Sequence, residues 1–187
     1  MTELTLDKTT HTYSLGPGVT TILKRVGFIS DRWFTEQAAV RGSYVHQACQ
    51  YLEEKTLDDA TVDDELRGYL NAYQKFLNES GWVSTTIEKP MHHAVLGYCG
   101  CPDRIGHMAD GKEGILDLKS GLPFGWHKLQ TAAYTALYKP DDPQSIQRYS
   151  LYLRGDGSYK LDRYADKNDL KIFLATLTVY KALEAHK

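Results

Sequence analysis

The sequence predicts a mixed α/β protein in which helices flank a central sheet. Three observations support this prediction. The first 80 residues have mostly helical periodicity, residues 82–119 are rich in β-branched and aromatic residues, and the remainder alternates between helix, hairpin and helix. The chain has 187 residues, of which 42% are hydrophobic and 25% charged. This predicts one domain over 1–187, divided into a hairpin and helices (1–80), a sheet and helix (82–139), and a final hairpin and helix (146–187).

The N-terminal part begins with a predicted hairpin. Residues 3–6 and 12–15 flank the turn-like segment DKTTH, and the second run ends in GPG. The segment TTILKRVG follows, with threonine available as a cap and glycine at its end. This pattern predicts a short helix.

Two longer helices are predicted next. Residues 31–55 have helical periodicity, and Gly42 is a point where this helix can break. After a polar loop, Asp63 or Asp64 can cap a further helix, which Gly81 would end.

The second half of the chain predicts the sheet. Residues 82–90, 91–109 and 114–119 read as three consecutive, mostly antiparallel strands, with Asp110 and Gly111 forming a turn. Residues 123–139 return to helical spacing and stop before Pro140. The last predicted elements are a hairpin around 155–157 and a helix over 167–187.

Charge and cysteine content narrow the cellular setting. The net charge is −2, but residues 51–80 carry −5 and the rest of the chain +3, so another surface could be locally basic and meet a polyanion. A solvated acidic helix face with scattered lysines explains the same pattern. Three cysteines suggest no disulfide framework. The polar N-terminus and the absence of a long apolar run predict a cytoplasmic protein with no membrane partner.

An aspartate and a lysine lie in a predicted apolar strand, in the segment EGILDLKSG. A strand has period two, so Asp117 and Lys119 project from the same face. Charges there are costly to desolvate, which leaves two explanations: an ion pair at a strand end, or a working site. The turn at 110–111 would fold Asp103 back beside Asp117. Two close carboxylates repel unless a divalent cation neutralises them, and their hard oxygens suit Mg²⁺ or Mn²⁺.

Four elements in order then resemble a known family. Gly100-x-x-Asp103, Asp117-Leu-Lys119 and Gln130-x-x-x-Tyr134, preceded by His46 in RGSYVHQACQYLE, resemble the PD-(D/E)XK nuclease superfamily and its RecB-like branch. GPGVTTIL is similar to phage and prophage members of that branch. The resemblance implies a restriction-endonuclease-like fold with a central mixed β-sheet flanked by helices.

The resemblance also implies roles for individual residues. His46, Asp103 and Asp117 would ligate the metal together with the Leu118 carbonyl, and Lys119 would be the catalytic lysine. Further residues are expected to support the site or meet DNA: Gln130, Tyr134, Arg41, Arg104, Lys128 and Trp126, with Glu88 either an accessory ligand or a surface charge. A rival zinc site can be drawn from His92, His93, Cys99 and Cys101.

Together these features predict a metal-dependent deoxyribonuclease. The resemblance favours an exonuclease that acts on DNA ends with single-strand preference. A structure-specific or nicking endonuclease, or a non-catalytic nucleic-acid-binding module, is the alternative. The cysteine pattern predicts no iron–sulfur cluster, and the lack of a G-x-x-x-x-G-K-S/T motif predicts no ATP site. The expected setting is DNA repair or recombination in a bacterial cell or phage-infected host, with a recombination or replication protein as a further partner.

Overall fold

The structure is a computed structural model that describes residues 3–7, 10, 12–30 and 35–186. Five helices of more than one turn occur in these residues. They are α1 (Val19–Arg25), α2 (Glu36–Glu54), α3 (Asp64–Ser80), α4 (His127–Tyr138) and α5 (Asn168–Ala185). Every helix in the described ranges is too short or too polar to cross a bilayer.

The strands form one large sheet and two small hairpins. The strands are β1 (Leu6–Asp7), β2 (Thr12–Tyr13), β3 (Val83–Ile87), β4 (Met91–His93), β5 (Tyr98–Gly100), β6 (Arg104–His107), β7 (Glu113–Lys119), β8 (Gln147–Leu153) and β9 (Tyr159–Arg163). The central sheet has the order β3-β6-β7-β8-β9, in which only the β7–β8 pair is parallel. The parallel step is possible because α4 forms the crossover between β7 and β8.

The two faces of the central sheet pack against different helices. Ile115 on β7 belongs to a core cluster with residues of α1, α4 and α5, whereas its neighbour Leu116 belongs to a second cluster with residues of α2 and α3. Successive residues of a strand point to opposite faces, so helices cover both sides of the sheet. This confirms the predicted central mixed sheet flanked by helices.

Local signals at helix ends were only partly predictive. Asp63 caps α3, its side chain accepting from the Glu65 amide at 3.4 Å, and Gly81 ends the helix with φ of 62°, as predicted. The predicted threonine cap of α1 is wrong, because Gly18 occupies that position without a side-chain bond.

The helix predicted over 31–55 begins later and is unbroken. Thr35 caps α2 by accepting from the Ala38 amide at 3.2 Å, and the helix continues through Gly42. The part of the prediction on residues 31–34 lies outside the described residues. A Cβ at Gly42 would make ordinary van der Waals contact with Ser120 Oγ at 3.4 Å.

The prediction of a single strand over residues 91–109 is wrong. This stretch contains β4 and β5, which form a separate antiparallel hairpin, and then β6 of the central sheet. The alternation of apolar residues is the same in both sheets, so it gives no sign of the switch. The turn at Gly111 and the β8–β9 hairpin are confirmed.

Candidate active site

Three strands of the central sheet carry a carboxylate in one row across their ends. The register pairs Arg104 of β6 with Ile87 of β3 and with Leu116 of β7. The residues one step further along this row are Glu88, Asp103 and Asp117. The sequence predicted that Asp103 and Asp117 meet at one end of the sheet, and the structure shows this.

Backbone hydrogen bonds hold Asp103 in this row. Its carbonyl accepts from the Glu88 amide at 3.0 Å, and its Oδ2 accepts from the Leu118 amide at 2.7 Å. The second bond fixes one carboxylate oxygen and leaves Oδ1 directed towards α2. There Oδ1 lies 3.5 Å from His46 Nδ1.

His46 reaches the sheet because it lies on the flank of the α2 face that packs into the core. Val45, Ala48 and Cys49 are buried against the second core cluster, which leaves the neighbouring position 46 at the edge of the sheet. The His46 side chain is partly exposed. It can therefore contact both the sheet end and solvent.

Glu88 completes a group of potential metal ligands. Among the described residues, His46, Glu88 and Asp103 are the group of donors whose ligand atoms all lie within 4.8 Å of one another. Glu88 has a left-handed backbone with φ of 44°, which is unfavourable for a glutamate. The sequence left Glu88 as either an accessory ligand or a surface charge, although its place directly after a strand was a usable signal.

This donor set fits a divalent cation. Two carboxylates and an imidazole supply hard oxygen and borderline nitrogen ligands, which suit Mg²⁺ and particularly Mn²⁺. The two acids lie close together, so a cation between them would relieve their repulsion. Asp117 is outside the 4.8 Å group in the described residues, and its role as a ligand stays a prediction.

Asp117 instead begins a chain of polar contacts that runs through the catalytic lysine candidate. Lys119 Nζ lies 2.7 Å from Asp117 Oδ2 and donates to Gln130 Oε1 at 3.1 Å. Gln130 in turn donates through Nε2 to Tyr134 Oη at 2.9 Å. All four residues are mostly buried, so the ammonium is held in one position.

The glycine of Gly100-x-x-Asp103 is explained by this chain. A Cβ at Gly100 would lie 2.8 Å from Tyr134 Cε1 and 2.7 Å from Leu137 Cδ1. Only a residue without a side chain lets the Tyr134 ring pack on β5 at this distance. Gly100 and Tyr134 are therefore coupled by packing.

The ionisation of the site reflects its burial and its pairs. Burial disfavours the charged form of Asp103, but His46 and Lys119 outweigh it and hold the Asp103 pKa at about 2. Burial likewise opposes protonation of His46, yet the Asp103 carboxylate raises the His46 pKa. Burial raises the Asp117 pKa to about 6, against the attraction of Lys119 and with the help of repulsion from Asp103.

Arg104 does not face solvent, which corrects its prediction as a phosphate contact. Its side chain is fully buried and forms an ion pair with Glu53 of α2. The Tyr73 hydroxyl donates to the same Glu53 oxygen at 2.5 Å, and Arg104 Nη1 donates to the Asp103 carbonyl at 2.7 Å. Arg104 thus supports the backbone that carries Asp103. Sequence reasoning missed Glu53 and Tyr73, because the residues that they contact are distant in the chain.

The remaining predicted contacts lie around the site. Trp126 is near the lysine, with Lys119 Nζ 5.6 Å from its ring centroid. The Arg41 guanidinium lies 5.9 Å from the centroid of the Tyr69 ring, and Lys128 Nζ is 3.5 Å from Asp169 Oδ1. DNA contacts by Arg41 and Lys128 stay predictions.

The zinc alternative has no support in the described part of the chain. His92 lies opposite Cys99 in the β4–β5 hairpin. His93 Nδ1 accepts a backbone hydrogen bond from Leu96 at 3.3 Å. Within residues 3–7, 10, 12–30 and 35–186, neither histidine joins Cys99 or Cys101 in a cluster of metal donors.

Comparison with known proteins gives distant structural similarity. No family model matches the chain, and no curated protein matches it. The structure is similar to LHK-Exo in complex with dAMP, with 18% identity, a TM-score of 0.42, and coverage of 91% of this chain and 89% of that chain.

Two further structures are similar at this level. The alkaline exonuclease LHK-Exo from Laribacter hongkongensis has 19% identity and a TM-score of 0.40, over 91% of this chain and 89% of that chain. SSO0001 has 14% identity and a TM-score of 0.38, over 88% and 84%. At these low TM-scores the similarities assign neither a family nor an activity.

Proposed function

We propose that this protein is a divalent-metal-dependent DNA phosphodiesterase of the PD-(D/E)XK type. The observation that carries the proposal is the group of His46, Glu88 and Asp103, with ligand atoms within 4.8 Å, beside the buried pair of Asp117 and Lys119. Buried charge of both signs at a sheet end is costly for stability. Its presence there favours a functional role, such as catalysis on a charged substrate.

The residues of the row would hold the cation. His46, Glu88 and Asp103 supply the described donor group, and Asp117 and the Leu118 carbonyl on β7 are proposed to complete it. When bound, a divalent cation would polarise a phosphoryl oxygen and lower the pKa of its water. The low pKa of Asp103 keeps its carboxylate ionised at neutral pH, in the form that binds a cation.

Lys119 would orient the nucleophile and stabilise charge on the phosphate. Its ammonium is fixed between Asp117 Oδ2 and Gln130 Oε1, so it would need little reorganisation during the reaction. Gln130 is itself held by Tyr134. Removing Gln130 would therefore loosen Lys119 without removing its charge.

The finer proposal is an exonuclease that acts on DNA ends with single-strand preference. It follows from the RecB-like resemblance of Gln130-x-x-x-Tyr134 together with His46 and Asp117-x-Lys119. Arg41, Lys128 and Trp126 are proposed to contact the strand around the site. A replication or recombination protein is proposed as a partner.

Cleavage of labelled oligonucleotides tests the activity. Single- and double-stranded DNA would be incubated with Mg²⁺, Mn²⁺ or EDTA, and product is expected only with metal. Asp117→Ala and Lys119→Ala should lose product by at least about 100-fold while retaining the circular dichroism spectrum of the parent protein.

The chain contains its own matched control. Asp110 and Lys112 form a second D-x-K segment, exposed in the turn between β6 and β7, and their side chains lie 3.4 Å apart. Asp110→Ala and Lys112→Ala should retain full activity. Equal activity in the Asp117 and Asp110 variants would refute the proposed site.

Substrate topology separates the alternatives. A circular single strand has no end, so an exonuclease leaves it intact while digesting the linear form. Cleavage of the circle would favour an endonuclease. Binding of DNA without cleavage in every metal would favour a non-catalytic binding module.

A further inference from the structure

An aromatic pair lies at the mouth of the candidate site, in the loop between β7 and α4. Phe124 and Trp126 are both partly exposed. Their ring centroids are 6.4 Å apart and their planes differ by only 14°. The two rings therefore share one orientation, and a planar ligand can lie parallel to both.

A buried histidine holds the pair in place. His127 is 2% exposed, and its ring packs edge-on against Trp126 at 4.2 Å and Phe124 at 5.8 Å. Its Nδ1 accepts from the Phe124 amide at 3.4 Å and lies within hydrogen-bond distance of the Tyr152 hydroxyl, at 2.8 Å. The rings are thus set before any ligand arrives, which lowers the entropy cost of binding.

The pair adjoins the reacting groups. The Trp126 ring centroid is 5.6 Å from Lys119 Nζ, and the same ammonium contacts Asp117 at 2.7 Å. A phosphate held beside Lys119 would bring the base of its own nucleotide within reach of the rings. The ring faces can stack on the flat face of a base while the ammonium meets the phosphate.

We propose that Phe124 and Trp126 form a stacking platform for the unpaired base next to the scissile phosphate. This inference rests on the proposed function and names its substrate class, a strand whose terminal bases are unpaired. Inside a duplex the faces of each base are covered by its neighbours, so a base next to the scissile phosphate must be unpaired and leave the stack to lie against the rings. Stacking also explains tolerance of sequence, because every base has a flat face.

Abasic substrates test the platform in the unaltered protein. A linear single-stranded oligonucleotide would carry one tetrahydrofuran abasic site, moved along the terminal nucleotides one position at a time. At the position of the platform, loss of the base should raise KM roughly 5- to 100-fold with a smaller change in kcat. Equal KM at every position would overturn the proposal.

Variants then connect that effect to the two rings. In Phe124→Leu/Trp126→Leu the intact oligonucleotide should already show the raised KM, and the abasic site should add no further increase. Trp126→Phe, which keeps a planar ring, should restore most of the discrimination. Leu122→Ala is the control, since Leu122 is 75% exposed on the same loop and has no ring. Its KM should stay within about twofold.

The outcomes distinguish this inference from the proposed function. If the parent protein cleaves DNA and the double variant still discriminates against the abasic site, the platform alone is overturned. Absence of cleavage by the parent protein in every metal would overturn the proposed activity and the platform with it. Circular dichroism spectra would verify that each variant is folded.

Discussion

Glu88 combines a strained backbone with a place in the group of potential metal ligands. Its φ of 44° lies in the left-handed region, where a non-glycine residue costs about 1–3 kcal/mol. The same residue places a carboxylate beside Asp103, which it repels in the absence of a cation. The Arg104 guanidinium, whose Nη1 lies 3.9 Å from Glu88 Oε1, offsets part of these costs.

Replacing Glu88 should therefore separate binding from stability. Asparagine tolerates the left-handed region but has no carboxylate. We expect Glu88→Asn to weaken Mn²⁺ binding about 10-fold or more, because one charged ligand is lost. The metal-free variant should stay within about 1 kcal/mol of the parent in stability, because relief of backbone strain opposes loss of the ion pair with Arg104. Paramagnetic resonance of unbound Mn²⁺ and urea unfolding measure the two effects.

Lys55 provides a control for the backbone effect alone. It has φ of 58° at the end of α2 and belongs to no metal-donor group in the described residues. Lys55→Asn relieves the same kind of backbone strain, so it should be at least as stable as the parent and leave Mn²⁺ affinity unchanged. A loss of Mn²⁺ affinity in this variant equal to that of Glu88→Asn would remove Glu88 from the ligand set.

The buried pair of Glu53 and Arg104 should be critical for stability. Arg104 is fully buried, so loss of its counterion leaves a desolvated charge. We expect Glu53→Gln to lower the free energy of unfolding by about 2–4 kcal/mol, measured by urea titration.

The neighbouring residue Glu54 provides a control for Glu53 on the same helix. Glu54 is exposed and accepts a hydrogen bond from Gln50 at 2.8 Å on the same helix. Glu54→Gln should change stability by no more than about 0.5 kcal/mol. Similar losses in the two variants would contradict a special role for the buried pair.

At the scale of elements, the contact between β5 and α4 sets the position of Tyr134 and, through Gln130, that of Lys119. Gly100 lets the Tyr134 ring approach, and Tyr134 holds Gln130, which holds Lys119. Gly100→Ala must move α4 or the ring by several tenths of an ångström. The displacement would pass along this chain to the lysine.

We expect Gly100→Ala to cost about 1–3 kcal/mol of stability by overpacking. Oligonucleotide cleavage should fall as well, because the position of Lys119 changes. Gly121→Ala is the control, since its Cβ would meet no atom within 4 Å. A Gly100→Ala variant with unchanged stability and cleavage would show that the contact is easily relieved.

At the scale of the whole molecule, pH should affect stability through His127. Burial lowers the His127 pKa to about 3, and the charge of Lys119 acts in the same direction. The folded protein therefore keeps His127 neutral, whereas the unfolded chain protonates it near pH 6.5. The resulting stabilisation is present in full above that pH and is lost as pH falls towards 3.

The expected loss between pH 7.5 and pH 5 is about 1–2 kcal/mol from this residue. His127→Asn, which offers an acceptor in place of Nδ1 and does not titrate, should lack this part of the pH dependence. Urea unfolding of both proteins at pH 7.5, 6 and 5 measures the difference. If the free energies of unfolding of the two proteins fall equally with pH, His127 is not the cause of this pH dependence.

The sequence by itself determined the element types, the order of the polar motifs and the antiparallel return that pairs Asp103 with Asp117. These depend on strand period, turn residues and caps, which act over a few residues. The left-handed backbone of Glu88 and the separate β4–β5 hairpin left no comparable local signal.

Tertiary structure decided which side chains share the site. Glu53 and Arg104 are 51 positions apart in the chain, and only the packing of α2 on the sheet brings them together. The same packing places His46 against Asp103 and turns Arg104 away from solvent. The physical reason is that contacts between elements depend on how helices and strands stack, which no short stretch of sequence encodes.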